Sequence, residues 1–98
     1  MAYTYILSNA HNTVFYVGST SDLVKRVYMH KRGLIKGFTQ RYNVTKLVYF
    51  ERFESMEAAR KREIQLKKTL RARKIALINT SNPEWRELAC DANTMQTH

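Results

Sequence analysis

Few side chains in this sequence combine a reactive group with a spacing that chemistry could use. Arg26 and His30 stand four residues apart, which puts them on one face of any helix that carries both. Tyr5 and Tyr16 each sit in a short run of aromatic and branched residues, Tyr3 to Leu7 and Val14 to Val17. Alternation along a strand would group Tyr3 with Tyr5, and Val14 with Tyr16 and Gly18. Glu63 is the single acid in a stretch, Arg60 to Lys74, that carries eight Lys or Arg. By type, an arginine fork suits phosphate oxygens, and a carboxylate offers a hard oxygen to Mg2+ or Mn2+. Phenol and imidazole groups orient or deprotonate water. Each group also has an ordinary reading: sheet-core tyrosines, Arg26 paired with Asp22, a structural His30, Glu63 paired with Lys67, and Asn82 as a helix cap before Pro83.

The charge of the whole chain narrows the partner. Seventeen Lys and Arg oppose eight Asp and Glu across 98 residues, a formal net charge of +9. Such an excess concentrates anions around a small body, so nucleic acid is the leading partner, with an anionic membrane surface behind it. No apolar run approaches the roughly 18 residues that span a bilayer, so no membrane insertion is expected. Residues 1–12 lack the basic start and long apolar stretch of a secretory leader. Cys90 is the lone cysteine, which excludes an intramolecular disulfide and a cysteine-clustered zinc site and favours a cytoplasmic setting.

The elements that must position these groups follow from pattern. Tyr3–Leu7 and Val14–Val17, separated by a polar turn, read as an antiparallel hairpin. Ser21 is the expected N-cap of a helix with Asp22 in its first turn, Leu23, Val27 and His30 at helical spacing, and Gly33 at its end. Residues 32–43 read as a basic loop with one short helical turn. Leu47–Phe50 forms a third strand that extends toward Phe53. From Ser55 a long helix is expected, with Met56, Ala59, Glu63, Leu66 and Leu70 at helical spacing. Ile75–Ile78 implies a second helix, or a continuation of the long one, docked on the sheet, and Asn82 with Pro83 starts a last short helix through Leu88. The fold class is α/β of the α+β type: a small three-stranded antiparallel or mixed sheet flanked by helices, in the order β-β-α-(short α)-β-α-α. Residues 1–90 are expected to form one domain and residues 91–98 a flexible tail.

The order of unusual residues is distinctive. Tyr3-Thr4-Tyr5, then Tyr16-Val17-Gly18, Asp22-Leu23 and Arg26 resembles the GIY-YIG nuclease superfamily, with Tyr3 and Thr4 at the Gly and Ile positions of the first signature. Arg62 to Lys68, Ala76 to Ile78 and Asn82 to Trp85 look like its small single-domain bacterial members, related to the nuclease domain of the excision-repair protein UvrC. The resemblance covers about residues 3–89. It implies metal-dependent hydrolysis of DNA phosphodiester bonds with one divalent ion, Mg2+ or Mn2+. The family's two tyrosines match Tyr5 and Tyr16, its helix arginine Arg26, and a Tyr or His four residues on His30. Its metal-binding glutamate matches Glu63, and its late asparagine Asn82, with Asn79 the rival.

Within that resemblance, Arg26 would hold phosphate, Tyr16 would align the attacking water, and His30 would relay or hold its proton. Arg60, Lys67, Lys68 and Arg71 form one candidate phosphate-contacting strip, and Lys25, Lys31, Arg32, Lys36 and Arg41 a second border. The expected substrate is DNA, structured or damaged, with RNA an open alternative and a protein partner a source of specificity. Two rival readings are a catalytically inactive nucleic-acid-binding module and a basic interaction protein.

Overall fold

The computed structural model describes residues 1–89; Cys90 and the tail expected after it lie outside the described residues. Its core is organised by one strand. β1 (Ala2–Ser8) is buried at every position, because its residues are apolar or hydrogen-bonding on both faces. It lies between β2 (Phe15–Thr20) and β3 (Lys46–Phe53) in an antiparallel sheet of order β2-β1-β3. On one face Tyr3, Tyr5 and Leu7 pack with Leu23, Val27, Val44, Leu47 and Leu88. On the other Ile6 packs with Val17, Val48, Leu66 and Ile78. The sheet is therefore the middle of three layers, which matches the expected α+β class and resolves its sheet as fully antiparallel.

The first layer is α1 (Leu23–Lys31) and the one-turn α2 (Phe38–Arg41). The N-cap of α1 is Asp22 rather than Ser21: its extended backbone lets its carboxylate accept the Lys25 N–H at 3.1 Å, three positions on. The second layer is α3 (Met56–Lys68), capped by Ser55, and α4 (Arg71–Ser81). Thr4 Oγ1 donates to Ala59 O at 2.6 Å and ties α3 to the central strand. Leu70 does not belong to the stripe of α3. Thr69 leaves the helix with ψ 140° and its hydroxyl returns to Gln65 O, so Leu70 begins the next element at 74% exposure. In α4 only Ile78 is fully buried; Ile75 and Leu77 are half-buried and Ala76 is exposed. Among the described residues, no helix is long and apolar enough to cross a membrane.

The last expected helix does not form. The pairing of β1 with β3 shifts between Ile6 and Leu7, which face Tyr49 and Leu47 and leave Val48 without a cross-strand partner. Asn82 Nδ2 donates to the Val48 carbonyl at 3.1 Å and to Arg86 O at 2.9 Å, while its Oδ1 accepts Arg86 N–H at 3.1 Å. The side chain thus closes a loop over residues 82–86 instead of capping a helix. Trp85, at φ 54°, turns the chain, and Leu88 N–H reaches Leu47 O at 2.8 Å. Asn82→Ala would remove the side-chain bonds to Val48 O and to the Arg86 backbone. It is expected to cost about 1–3 kcal/mol in urea unfolding, and Asn82→Asp, which sets a charge against two carbonyls, to do no better.

Candidate active site

Gly18 determines where the reactive groups stand. It faces Tyr5 across the β1–β2 ladder, and a Cβ there would lie 2.5 Å from the Tyr5 hydroxyl oxygen and 2.7 Å from Cζ. The missing side chain therefore lets the Tyr5 ring lie across β2. Gly18 sits within a strand, so its role is this close approach and not the tight turn its type suggests. Tyr16, two residues before it, shares the face, with ring centroids 6.3 Å apart.

Behind Tyr5 lies His30, 2% exposed. Its Nε2 is 3.3 Å from the Tyr5 hydroxyl and its Nδ1 is 3.1 Å from Thr39 Oγ1. Burial, with help from Arg26, pushes the imidazole pKa down to about 4, so the ring is neutral at pH 7. Burial also raises the Tyr5 phenol well above its ordinary range; Tyr16 and Glu63 add to the effect and Arg26 opposes it. Tyr5 is thus a protonated phenol at neutral pH.

The opposite face of β2 supplies the anion. Ser19 points toward α3 and its hydroxyl donates to Glu63 Oε1. Glu63 Oε2 is 2.6 Å from Lys67 Nζ. Burial alone would raise this carboxyl, but the hydrogen bonds from Lys67 and Ser19 outweigh it and leave its pKa below the usual value. Because β2 is an edge strand, groups from its two faces meet around its free side. They enclose a cleft of about 490 Å³, lined by Tyr16 and Arg26 from one side and by Ser19, Glu63, Arg60 and Met56 from the other. The stripe of α3 that meets the cleft is Met56, Arg60 and Glu63, distinct from the Ala59 and Leu66 stripe that packs on the sheet.

Tyr16, Arg26 and Glu63 are therefore brought together, with Tyr5 directly beneath. His30 stands behind Tyr5 with both ring nitrogens engaged, and so does not face the cleft as a proton relay would need. Asn82 does not line the cleft; its amide is committed to Val48 and Arg86. Its rival Asn79 accepts the Trp85 indole N–H at 2.6 Å. Of the cations, Arg60 lines the cleft, Lys67 holds Glu63, and Lys25 lines an adjoining depression shared with Arg26. Lys31 pairs with Glu87. Arg71 lies over the Phe15 ring at 4.3 Å and donates to Thr13 O, so it holds the hairpin turn. Arg32 and Arg41 lie over Tyr28 and Tyr42, and Lys36 and Lys68 are exposed. Ser19 and Thr39 are site-supporting residues that no motif marks. Strand alternation from Gly18 places Ser19 on the opposite face, which is the one signal for it; the contact of Thr39 has no counterpart in sequence.

Among the described residues, no group of three His, Cys, Asp or Glu side chains stands ready for a metal ion. A divalent cation would rest on Glu63 with water and phosphate oxygens. Hard ions that keep much of their hydration shell suit a single carboxylate of this kind. The donor set fits: Glu63 is held ionised, and Oε2 already attracts a cation, the Lys67 ammonium.

Residues 1–76 match the family model described as the GIY-YIG catalytic domain. The chain is 38% identical over 82 residues to a UPF0213 protein of Clostridium perfringens, covering 84% of this chain and 87% of that one. It is 39% identical over 84 residues to a UPF0213 protein of Streptococcus pyogenes, covering 85% and 90%. The solution structure of a UPF0213 protein from Bacillus halodurans superposes with a TM-score of 0.55 at 27% identity, covering 89% of this chain and 93% of that one.

Two measurements check the geometry. Gly18→Ala is expected to cost about 1–3 kcal/mol by overpacking, and Tyr5→Phe in that background to recover part of the loss by removing the hydroxyl oxygen nearest the new methyl. A double-mutant cycle in urea reads the coupling. His30 should make stability pH-dependent. Its folded pKa, about 4, lies below the unfolded value of 6.5, so the unfolded chain takes up the proton first. Its contribution is complete above pH 6.5, is lost as pH falls toward 4 and is constant below. His30→Gln should remove that slope, worth up to about 3 kcal/mol, from the difference between the two stability profiles.

Proposed function

Because the chain belongs to the GIY-YIG catalytic domain family, we propose that it is a divalent-metal-dependent endonuclease that hydrolyses DNA phosphodiester bonds in the cleft at the edge of β2. One observation carries the reading. An arginine, an ionised carboxylate and a tyrosine from three different elements converge on one open, basic cleft, with a second phenol beneath it.

Each side chain has a task that its environment supports. Arg26 binds the non-bridging oxygens of the phosphate, as a cation with several fixed donors does well. Tyr5, kept protonated by burial, donates a hydrogen bond and does not accept a proton. Tyr16 then aligns the attacking water, since its half-buried side chain lines the cleft. His30 is a positioning residue: neutral and anchored by Thr39, it fixes the Tyr5 hydroxyl. Ser19 and Lys67 keep Glu63 ionised and oriented, and Glu63 would hold Mg2+ or Mn2+. The ion, when bound, neutralises charge developing on the phosphate and the leaving oxygen. The degenerate first signature leaves this set intact. Tyr3 packs edge-on against Phe50, and Thr4 bonds Ala59 O, so both serve packing.

The test is cleavage of single-stranded, duplex, nicked and branched DNA, with RNA alongside, in Mg2+, Mn2+ or EDTA. EDTA is expected to abolish cleavage. Arg26→Ala should lower the rate about 10²–10³-fold, and Tyr16→Phe and Glu63→Gln should each reduce it severely, while binding in EDTA changes far less. Undiminished metal-dependent cleavage by Glu63→Gln would overturn the ligand assignment. Binding without cleavage of any substrate would leave a nucleic-acid-binding module in place of a nuclease.

A further inference from the structure

The part of the chain between α1 and β3 carries a charge and aromatic pattern that the cleft does not use. Residues 32–45, between these elements, contain three Lys or Arg and no Asp or Glu. Within this acid-free span, Phe38 of α2 and its C-cap residue Tyr42 turn their rings to solvent, 47% and 45% exposed. The two rings lie against each other with centroids 5.0 Å apart, and the Arg41 guanidinium lies 5.6 Å from the centroid of Tyr42. Packing does not need these rings outside. The inner side of α2 is anchored by Thr39, 3% exposed and bonded to His30, and by the buried Val44, whose N–H donates to Thr39 O at 2.9 Å. Leaving two aromatic rings in water on one helical turn forgoes burial that a small domain would otherwise use.

We propose that α2 is a stacking platform for unpaired bases, so that the strand entering the cleft is single-stranded or locally unpaired DNA. In a duplex each base face is covered by its neighbours; only an unpaired base offers its π-face to a side chain. Exposed aromatic rings interleaved with arginine supply stacking together with backbone charge, and no acid within the span opposes a polyanion. The platform is also coupled to the chemistry. Thr39 of α2 holds His30, and His30 holds the Tyr5 hydroxyl, through contacts of 3.1 and 3.3 Å. On the same side, the depression lined by Asp22, Lys25, Arg26 and Met29 adjoins the cleft, and Leu34 N–H bonds Met29 O at 2.9 Å at the start of the loop to α2. The proposal deepens the nuclease reading and rests on it only for the statement that the bound strand is the one cleaved.

The intact chain is tested in EDTA, by fluorescence anisotropy with labelled oligo-dT of roughly 12 nucleotides and with a duplex of equal length. Phe38→Ala/Tyr42→Ala is expected to weaken oligo-dT binding about ten- to hundredfold and duplex binding about twofold or less. Phe38→Leu/Tyr42→Leu keeps apolar bulk without π-faces and should behave alike, with thermal melting showing both variants folded. Arg41→Ala should weaken both ligands and reduce the salt slope by about one. Oligo-dT binding by the leucine variant equal to that of the unmodified chain overturns the proposal. So does an equal loss on both ligands, or a loss confined to anionic phosphatidylserine vesicles. Selective oligo-dT binding that depends on Phe38 and Tyr42, without cleavage in any metal, upholds the platform and overturns the nuclease reading alone.

Discussion

The contact between the Tyr5 ring and the bare backbone of Gly18 sets the geometry of the site. Antiparallel pairing places these residues opposite each other, and the side of the strand left empty by glycine is filled by a phenol from the neighbouring strand. The hydroxyl is thereby carried from the fully buried central strand toward the sheet edge. His30 and Thr39 hold it from behind, while Tyr16 lies beside the same glycine. Burial of this cluster explains both perturbed titrations, a phenol that resists ionisation and an imidazole that resists protonation. The buried groups are thus suited to donate and to position, and the groups at the rim to meet a phosphate.

A second constraint is that β2 is an edge strand. Alternate residues of a strand face opposite layers, so Tyr16 and Gly18 belong to the α1 side while Ser19 belongs to the α3 side. In the middle of a sheet the two sets would be separated by the neighbouring strands. At the edge they wrap around the free side and share one cleft, and Glu63 can stand near Tyr16 although the two pack on different faces. The same geometry divides the positive charge. Arg26 and Arg60 line the cleft, Lys67 holds Glu63, Arg71 and Lys31 make internal contacts, and the α2 region holds Arg41 with its two exposed rings. A net charge of +9 therefore describes several populations of cations with different tasks.

Much of the site was legible in the sequence because its parts are local. The β2–α1 connection carries Tyr16, Gly18 and Arg26 within a few residues, and a helix repeat relates Arg26 to His30 and Glu63 to Lys67. The errors fall where a long-range contact overrides a local preference. Ser21 and Asp22 are both good caps, and only the backbone direction entering α1 selects Asp22. Leu70 continues the apolar period of α3, but Thr69 turns the chain. Asn82-Pro83 is a sound helix start, yet the Asn82 amide is claimed by the Val48 carbonyl that the irregular β1–β3 pairing exposes.

Residue types and their order pointed to the GIY-YIG family and determined the net positive charge, the antiparallel hairpin and the helices that carry Arg26 and Glu63, since these depend on composition and on neighbours three or four positions away. Tertiary structure alone decided that His30 backs Tyr5 instead of facing the cleft, that Ser19 holds Glu63 from the neighbouring strand, that Asn82 braces β3, and that Phe38 and Tyr42 face solvent. Each of these depends on which layer packs against which strand face. That choice is made by the simultaneous burial of both faces of β1, a requirement that no local pattern encodes.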